Sequence, residues 1–149
     1  MKICIACSAG GHLVEASQLV DILKQHDVFF FTNKTPHIKK TIQGKRVYFT
    51  INPLRSPFKN IKVFLDSLRV FKKENPDIVI STGANVTVPM ALLAKLKGKK
   101  LIFIECSAQV TSPSLTGKIL YPFADLFIVQ WKPLLKRYGR KAIYGGLLV

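Results

Sequence analysis

Acidic residues are scarce in this chain of 149 residues: eight Asp and Glu stand against 23 Lys and Arg, a formal net charge of +15. Such an excess repels itself, so it argues for a polyanionic partner, either nucleic acid or an anionic membrane surface. Long apolar runs are missing too. Nothing approaches the roughly 18 consecutive apolar residues that span a bilayer, and the opening MKICIACSAGGH turns polar too soon for a secretion signal. A protein of the cytoplasmic side is expected. Cysteine is limited to Cys4, Cys7 and Cys106, an odd number at no metal-like spacing. Cys4 and Cys7 fall in a strand-like stretch, where residues three apart point to opposite faces, so buried reduced thiols are expected rather than a redox or zinc site. The dinucleotide fingerprint G-x-G-x-x-G and the Gly-Lys-Ser/Thr of a P-loop are both absent. No metal-ligating cluster is visible, and neither a metal nor a cofactor is expected.

What is present is apolar: 48% of the residues are hydrophobic, which excludes a disordered basic tail. The length allows one domain, or half of a two-domain machine. Short runs at Lys2–Cys7, Asp27–Thr32, Arg46–Ile51, Asp77–Ser81, Lys100–Ile104, Asp125–Gln130 and Lys141–Tyr144 read as strands, most of them apolar enough to be covered on both faces. Helix-like segments at His12–Gln25, Pro57–Asn75, Val86–Leu96 and Ser114–Phe123 alternate with them. This alternation predicts an α/β, doubly wound parallel sheet, with ligands at the carboxyl ends of its strands. No linker or repeat divides residues 1–149, which read as a single domain.

The basic residues are clustered. Between Lys34 and Lys73 stand eleven (Lys34, Lys39, Lys40, Lys45, Arg46, Arg55, Lys59, Lys62, Arg69, Lys72 and Lys73) against one acid, Asp66. On the helix within this run, Phe58, Ile61, Phe64, Leu65, Leu68 and Phe71 share one face, with Lys59, Lys62, Arg69 and Lys73 on an adjacent strip. Two readings stay open: a core-packing helix with solvated lysines, or a helix lying against anionic lipid.

Three strand-to-helix corners could carry chemistry. Ser8-Ala9-Gly10-Gly11-His12 lets the backbone turn tightly and approach a ligand, with a helix N-terminus behind it to favour an anion. His12 is either a general base for a sugar hydroxyl or a histidine that only hydrogen-bonds the turn. Glu15 reads as an acid stabilising the helix dipole. Ser81-Thr82-Gly83-Ala84-Asn85 is a second corner, and the pair together suits the two phosphates of a diphosphate. At the third, Glu105 ends an apolar strand, where a carboxylate caps backbone, pairs with a base or accepts sugar hydroxyls. Ser112, Ser114 and Thr116 read as helix caps.

The stretches CSAGGHL, NPDIVISTGANVTVPMALLAKLKGKKLIFIECSAQVTSPSLTGKILYPFADLFIVQW and KAIYGG resemble the PssD/CpsF-type bacterial polysaccharide-biosynthesis proteins. Those are relatives of the membrane-anchoring subunit of the eukaryotic transferase that adds the second N-acetylglucosamine to dolichol diphosphate. The resemblance covers essentially the whole chain. More distantly, G-G-H, then T-G-x-x-V-x-x-P, then a Glu-led strand end resemble the acceptor half of the peptidoglycan transferase acting on a lipid diphosphate. Two departures stand out: relatives carry Glu-Ser-Phe-Ala-Arg where this chain has Glu105-Cys106-Ser107-Ala108-Gln109, and a glycine at the position of Asn85.

The resemblance implies a split glycosyltransferase of GT-B type, with this chain as its Rossmann-like, N-terminal acceptor half. A separate catalytic subunit would carry the nucleotide-sugar site. The acceptor, a polyprenyl-diphosphate sugar, would meet Ser8, Gly10, Gly11, His12, Thr82, Gly83, Asn85 and Glu105. The tail Gly145, Gly146, Leu147, Leu148 and Val149 would dock that subunit, or else form a final strand or frayed end. Eukaryotic anchors carry a membrane helix where this chain starts on a strand, so Lys59, Lys62, Arg69 and Lys73 are expected to hold it peripherally on the cytoplasmic face. The expected function is acceptor binding and membrane recruitment in a heteromeric hexosyltransferase for polysaccharide or lipid-linked oligosaccharide synthesis, inactive without its partner. The alternative is a non-catalytic scaffold that only anchors that partner. Nucleic acid is not expected, since no interleaved surface aromatics or binding motif accompany the charge.

Overall fold

A computed structural model describes every residue except 37, 39–41, 43 and 149. Lys39 and Lys40 of the basic run and Val149 of the tail therefore lie outside the described residues. In chain order the elements are β1 (Lys2–Ala6), α1 (Gly11–Ile22), β2 (Asp27–Asn33), β3 (Arg46–Thr50), α2 (Pro57–Glu74), β4 (Ile78–Ser81), a 3-10 turn (Asn85–Thr87), α3 (Val88–Leu96), β5 (Lys100–Ile104), α4 (Leu115–Leu120), β6 (Leu126–Val129), α5 (Pro133–Tyr138) and β7 (Ala142–Tyr144). Among the described residues seven strands form one sheet, in the order β3-β2-β1-β4-β5-β6-β7, and every pairing is parallel.

The strands are covered on both faces, as their composition predicts. Phe29, Phe30 and Phe31 of β2 are each fully buried. Phe29 and Phe31 pack with α2 and α3 on one side, and Phe30 with Leu13, Ala16 and Leu19 of α1 on the other. Cys4 and Cys7 stand on these opposite faces. Burial pushes the Cys7 thiol up to about 12 and the Cys4 thiol well above its ordinary value, so neither is a nucleophile at neutral pH.

The order of strands reverses between β1 and β4, so the loops following them diverge to opposite faces and leave a crevice at the carboxyl edge. This switch point brings together the first two corners read from the sequence.

Helix α2 bears on the two readings left open for its apolar face. Ser56 caps it through its Oγ, Pro57 opens it, and Asn75 closes it in the left-handed region at φ 45°. Its inner face is Val63, Asp66, Ser67, Val70, Phe71 and Glu74. Of the six apolar residues placed on one face, Phe71 is buried, whereas Phe58 is 83% exposed and Ile61, Phe64 and Leu65 also face outward, against the core-packing reading. The inward acids are matched by the edge strand: Thr50 Oγ1 donates to Asp66 at 2.8 Å, and the Tyr48 hydroxyl donates to Glu74. Polar partners on β3 thus rotate the helix about its axis relative to what hydrophobicity alone selects. Helix α5 is a second departure, having no counterpart in the sequence reading, although Pro133 at its start and Gly139 at its end are ordinary boundary signals.

Candidate functional site

At the first corner, Gly10 sits at φ 107° and ψ −141°, a conformation that side chains bearing a Cβ rarely adopt. A Cβ added at Gly10 or Gly11 would meet nothing within 4 Å, so the loop faces open space. Asn33, at the end of β2, braces it by accepting the Ala9 N–H at 2.9 Å. Half-buried Ser8 lies in the same loop. Helix α1 then starts without a side-chain cap, leaving first-turn N–H groups for an anion.

His12 points across the switch point. Its Nδ1 lies 2.7 Å from the carbonyl oxygen of Thr82. A carbonyl only accepts, so Nδ1 carries a proton, and in the neutral ring the lone pair lies on Nε2. The contact is reciprocal, for Thr82 Oγ1 donates to the carbonyl of His12 at 3.2 Å. Thr82, expected as a ligand contact, is buried, and its hydroxyl is spent on this contact. Gly83 permits the close approach, since a Cβ there would stand 3.1 Å from His12 Cε1.

The second corner is held from within. Ser81 Oγ lies 2.7 Å from Thr87 Oγ1 and accepts the Gly83 N–H at 3.2 Å. Ala84 adopts φ 72° and ψ 151°, nearly a glycine-only region, so the backbone's demand for glycine falls at Ala84 and not at Asn85. Asn85 is exposed and turns its amide NH2 to the Leu54 carbonyl and to Asn60 Oδ1, tying this corner to α2.

Glu105 is corrected as well. It is fully buried, and its oxygens accept from the N–H of Cys106, the N–H and hydroxyl of Ser114 and the hydroxyl of Tyr138. No surface is left for an acceptor sugar; Glu105 shapes the corner instead. Burial and the neighbouring carboxylate push the Tyr138 phenol far above its ordinary range, so it remains a donor. Gly117 is required here, because a Cβ would lie 2.6 Å from Glu105 Oε2. Ser114 is the cap expected, accepting the Gly117 N–H at 2.9 Å.

Glu15 is also not the helix-dipole acid of the sequence reading, for the first turn of α1 holds no acid. It is 2% exposed and accepts from the N–H and hydroxyl of Ser107 and from Gln130 Nε2. Gln130 donates in addition to the Glu105 carbonyl, and its Oε1 accepts the Leu148 N–H at 2.8 Å. Neither Gln130 nor Glu15 carries a sequence signal for this role, which exists only once β6 lies beside β5 behind α1.

The fold thus gathers Ser8, Gly10, Gly11 and His12 with Thr82, Gly83 and Asn85, and sets the other predicted groups elsewhere. Of the basic strip, Lys62 pairs with Asp66 and Lys73 lies 5.1 Å over the Tyr48 ring, leaving Lys59 and Arg69 outside any ion pair among the described residues. The tail runs along the far edge of the sheet. Gly145 N–H donates to the Val129 carbonyl, Gly146 turns at φ 81°, Leu148 packs on the α1-side core, and Leu147 is 52% exposed. Among the described residues no helix is long and apolar enough to cross a membrane.

Comparison with known structures confirms the fold. MurG of Acinetobacter baumannii superposes with a TM-score of 0.81 at 20% identity, over 97% of this chain and 45% of that one. The galactosyltransferase WaaB gives 0.70 at 15% identity, over 96% and 44%. The sheet is that of the N-terminal half of a GT-B glycosyltransferase. Among curated sequences, the UDP-N-acetylglucosamine transferase subunit ALG14 of Candida albicans is 40% identical over 91 residues, 57% of this chain and 42% of the relative. Its Schizosaccharomyces pombe counterpart is 33% identical over 135 residues, 84% and 64%. The UDP-N-acetylglucosamine–N-acetylmuramyl-(pentapeptide) pyrophosphoryl-undecaprenol N-acetylglucosamine transferase of Clostridium perfringens is 37% identical over 91 residues, 61% and 25%. The chain spans less than two thirds of the length of each of these curated relatives. The family model described as "Oligosaccharide biosynthesis protein Alg14 like" matches residues 50–148, and the chain belongs to that family.

Proposed function

We propose that this chain is the acceptor-binding and membrane-recruiting subunit of a two-chain glycosyltransferase. It presents a polyprenyl-diphosphate-linked sugar to a catalytic partner that holds the nucleotide-sugar, in an N-acetylglucosaminyltransferase-like reaction, with residues 1–149 acting as the acceptor-binding domain. The observation that carries this reading is the His12–Thr82 contact beside the open Gly10–Gly11 loop. It orients a histidine so that the neutral ring turns its Nε2 lone pair away from Thr82, as a general base needs, next to backbone N–H groups suited to a diphosphate.

In the reaction, Nε2 of His12 takes the proton of the acceptor hydroxyl while that oxygen bonds to the anomeric carbon of the donor sugar. The bond from this carbon to the nucleotide diphosphate breaks, and its electrons leave with the diphosphate. The outcome is inversion by direct displacement. Thr82 orients the imidazole, and Gly83 gives it room. The donor sits on the partner, so the chain alone is expected to be inactive.

Recruitment is assigned to α2 at the cytoplasmic face. Phe58, Ile61, Phe64 and Leu65 are exposed beside Lys59 and Arg69, and burying a side chain of this size is worth about 1.5–3 kcal/mol. Leaving four such groups in water forgoes several kcal/mol, which an anionic bilayer would recover. The exposed Leu147, with Gly145 and Gly146 at the sheet edge, is offered to the partner, while Leu148 is already seated on this chain's own core.

The test is His12→Ala in the pair reconstituted with its partner on membranes. Turnover is expected to fall at least a hundredfold with membrane and partner binding intact. Unchanged turnover would leave the chain a scaffold that anchors its partner.

A further inference from the structure

A second basic cluster lies at the opposite edge of the sheet from α2. After Asp125 the remaining 24 residues contain Lys132, Lys136, Arg137, Arg140 and Lys141 and no acid. Lys132, Lys136 and Arg137 line a groove with Thr111 and Pro133, between the loop that follows β5 and helix α5. Its volume is about 670 Å³, within the range of small-molecule sites. The ion pairs among the described residues use other cations, namely Lys2, Arg46, Lys62, Lys95, Lys99 and Lys100.

We infer that this groove is an oxyanion site that takes a phosphate or diphosphate group. The Lys132 ammonium stands 5.4 Å over the Tyr144 ring, while Lys136 and Arg137 follow one another on the groove wall with no carboxylate paired to them among the described residues; a ligand carrying two or three negative charges would offset their repulsion. The groove also has the right address. It is built by the loops at the carboxyl ends of β5 and β6, the edge where ligands of open α/β sheets bind. The basic residues of α2, by contrast, stand on a helix flank among exposed apolar side chains.

The segments flanking the groove are tied to the core by neighbours of its lining residues. Trp131 Nε1 donates to the Ser107 carbonyl at 2.7 Å, and Gln130 Nε2 to the Glu105 carbonyl at 2.9 Å. From the α5 side, Tyr138 hydrogen-bonds Glu105, and the fully buried Leu134 anchors the helix. The N–H groups of Val110, Thr111 and Ser112 make no hydrogen bond among the described residues, which leaves them free to support an anion beside the Thr111 hydroxyl. Buried polar anchors behind exposed cations make a preorganised site, with little ordering cost on binding.

The inference goes beyond the reading of His12, since this groove would hold phosphate whether or not His12 is a base. Two sources share the chemistry: the diphosphate of a nucleotide-sugar or its nucleoside diphosphate product, and the diphosphate of a lipid carrier.

The experiment titrates the full chain with inorganic pyrophosphate and with UDP at physiological salt, following amide shifts by NMR and heat by calorimetry. The double variant Lys136→Gln with Arg137→Gln is compared with Lys24→Gln plus Lys97→Gln, which removes the same charge elsewhere on the surface. Saturable pyrophosphate binding is expected, weakened tenfold or more by the first pair and within twofold of wild type for the second. Equal weakening by both pairs means general attraction to a basic protein and overturns the proposal, as does the absence of saturable binding. UDP binding tighter than pyrophosphate, lost in the groove variant, identifies the nucleotide source. Loss of the groove variant's affinity for vesicles containing a polyprenyl diphosphate, against vesicles without it, identifies the lipid. His12→Ala should retain pyrophosphate binding, so failure of the catalytic reading and failure of this one are separate results.

Discussion

Gln130 Nε2 and Glu15 Oε2 meet at 2.9 Å in the interior, 115 residues apart in sequence. Through this bond the end of β6 is fastened to α1, the helix that carries His12. Gln130→Leu removes two donated bonds and the acceptor of the Leu148 N–H, leaving one oxygen of Glu15 buried without a partner. A loss of about 2–3 kcal/mol in denaturant unfolding is expected. A loss below about 0.5 kcal/mol would mean that water replaces the amide there.

Ala84 supports a gain. Its φ of 72° with ψ 151° carries a cost that glycine does not, about 1–3 kcal/mol for such a conformation. Glycine returns about 0.5–1 kcal/mol of that as chain entropy. Ala84→Gly is therefore expected to stabilise by about 1 kcal/mol and to raise Tm by about 2–4 °C. A lower Tm in calorimetry would contradict the strain assigned to this corner.

For α2, Phe58→Ser with Ile61→Ser should leave the unfolding midpoint nearly unchanged, because both side chains face solvent. The same pair should weaken binding to anionic vesicles at least tenfold. Lys59→Gln with Arg69→Gln should do likewise at low salt, at roughly 1 kcal/mol per basic residue, and lose its effect as salt screens the surface. Vesicle sedimentation across a salt series checks both, and wild-type binding by either double variant would remove α2 as the membrane contact.

Acid should destabilise the protein through identifiable carboxylates. Burial alone would raise Glu74, but the Tyr48 hydroxyl, Lys2 and Arg46 outweigh it and hold the carboxyl below its ordinary value. Asp125 is held down in the same way, burial being outweighed by Lys95 and the Leu101 N–H. Because the folded values lie below the unfolded ones near about 4, the unfolded chain takes up protons first as pH falls. The contribution is full above about pH 4.5 and is lost as pH drops through the folded values. Urea midpoints should be level from about pH 7 to 5 and fall below that, less steeply in Tyr48→Phe. A midpoint that rises on acidification would contradict this assignment.

Strand identity was legible because burial on both faces demands continuous Val, Ile and Phe, and no other element here has that pattern. The glycine corners were legible because a tight turn before a helix needs them. Other features depend on tertiary partners and leave no local trace. The rotation of α2 rests on Thr50 and Tyr48 donating to Asp66 and Glu74, so the sequence alone leaves Phe58 and Ile61 open between core and lipid contact, and only the fold turns them outward. Glu105 looked reachable at a strand end, yet Tyr138 and Ser114 close over it from elements that come later in the chain. Helix α5 was missed because six residues are too few to display a period.

His12 receives its partner from a carbonyl 70 residues later in the chain. During synthesis the imidazole therefore has no fixed tautomer until β4 has emerged and paired beside β1. A fragment ending before Thr82 would contain the whole glycine loop and still lack an oriented imidazole. The orientation of the imidazole at this corner is thus a late product of assembly, gained when the two halves of the sheet join.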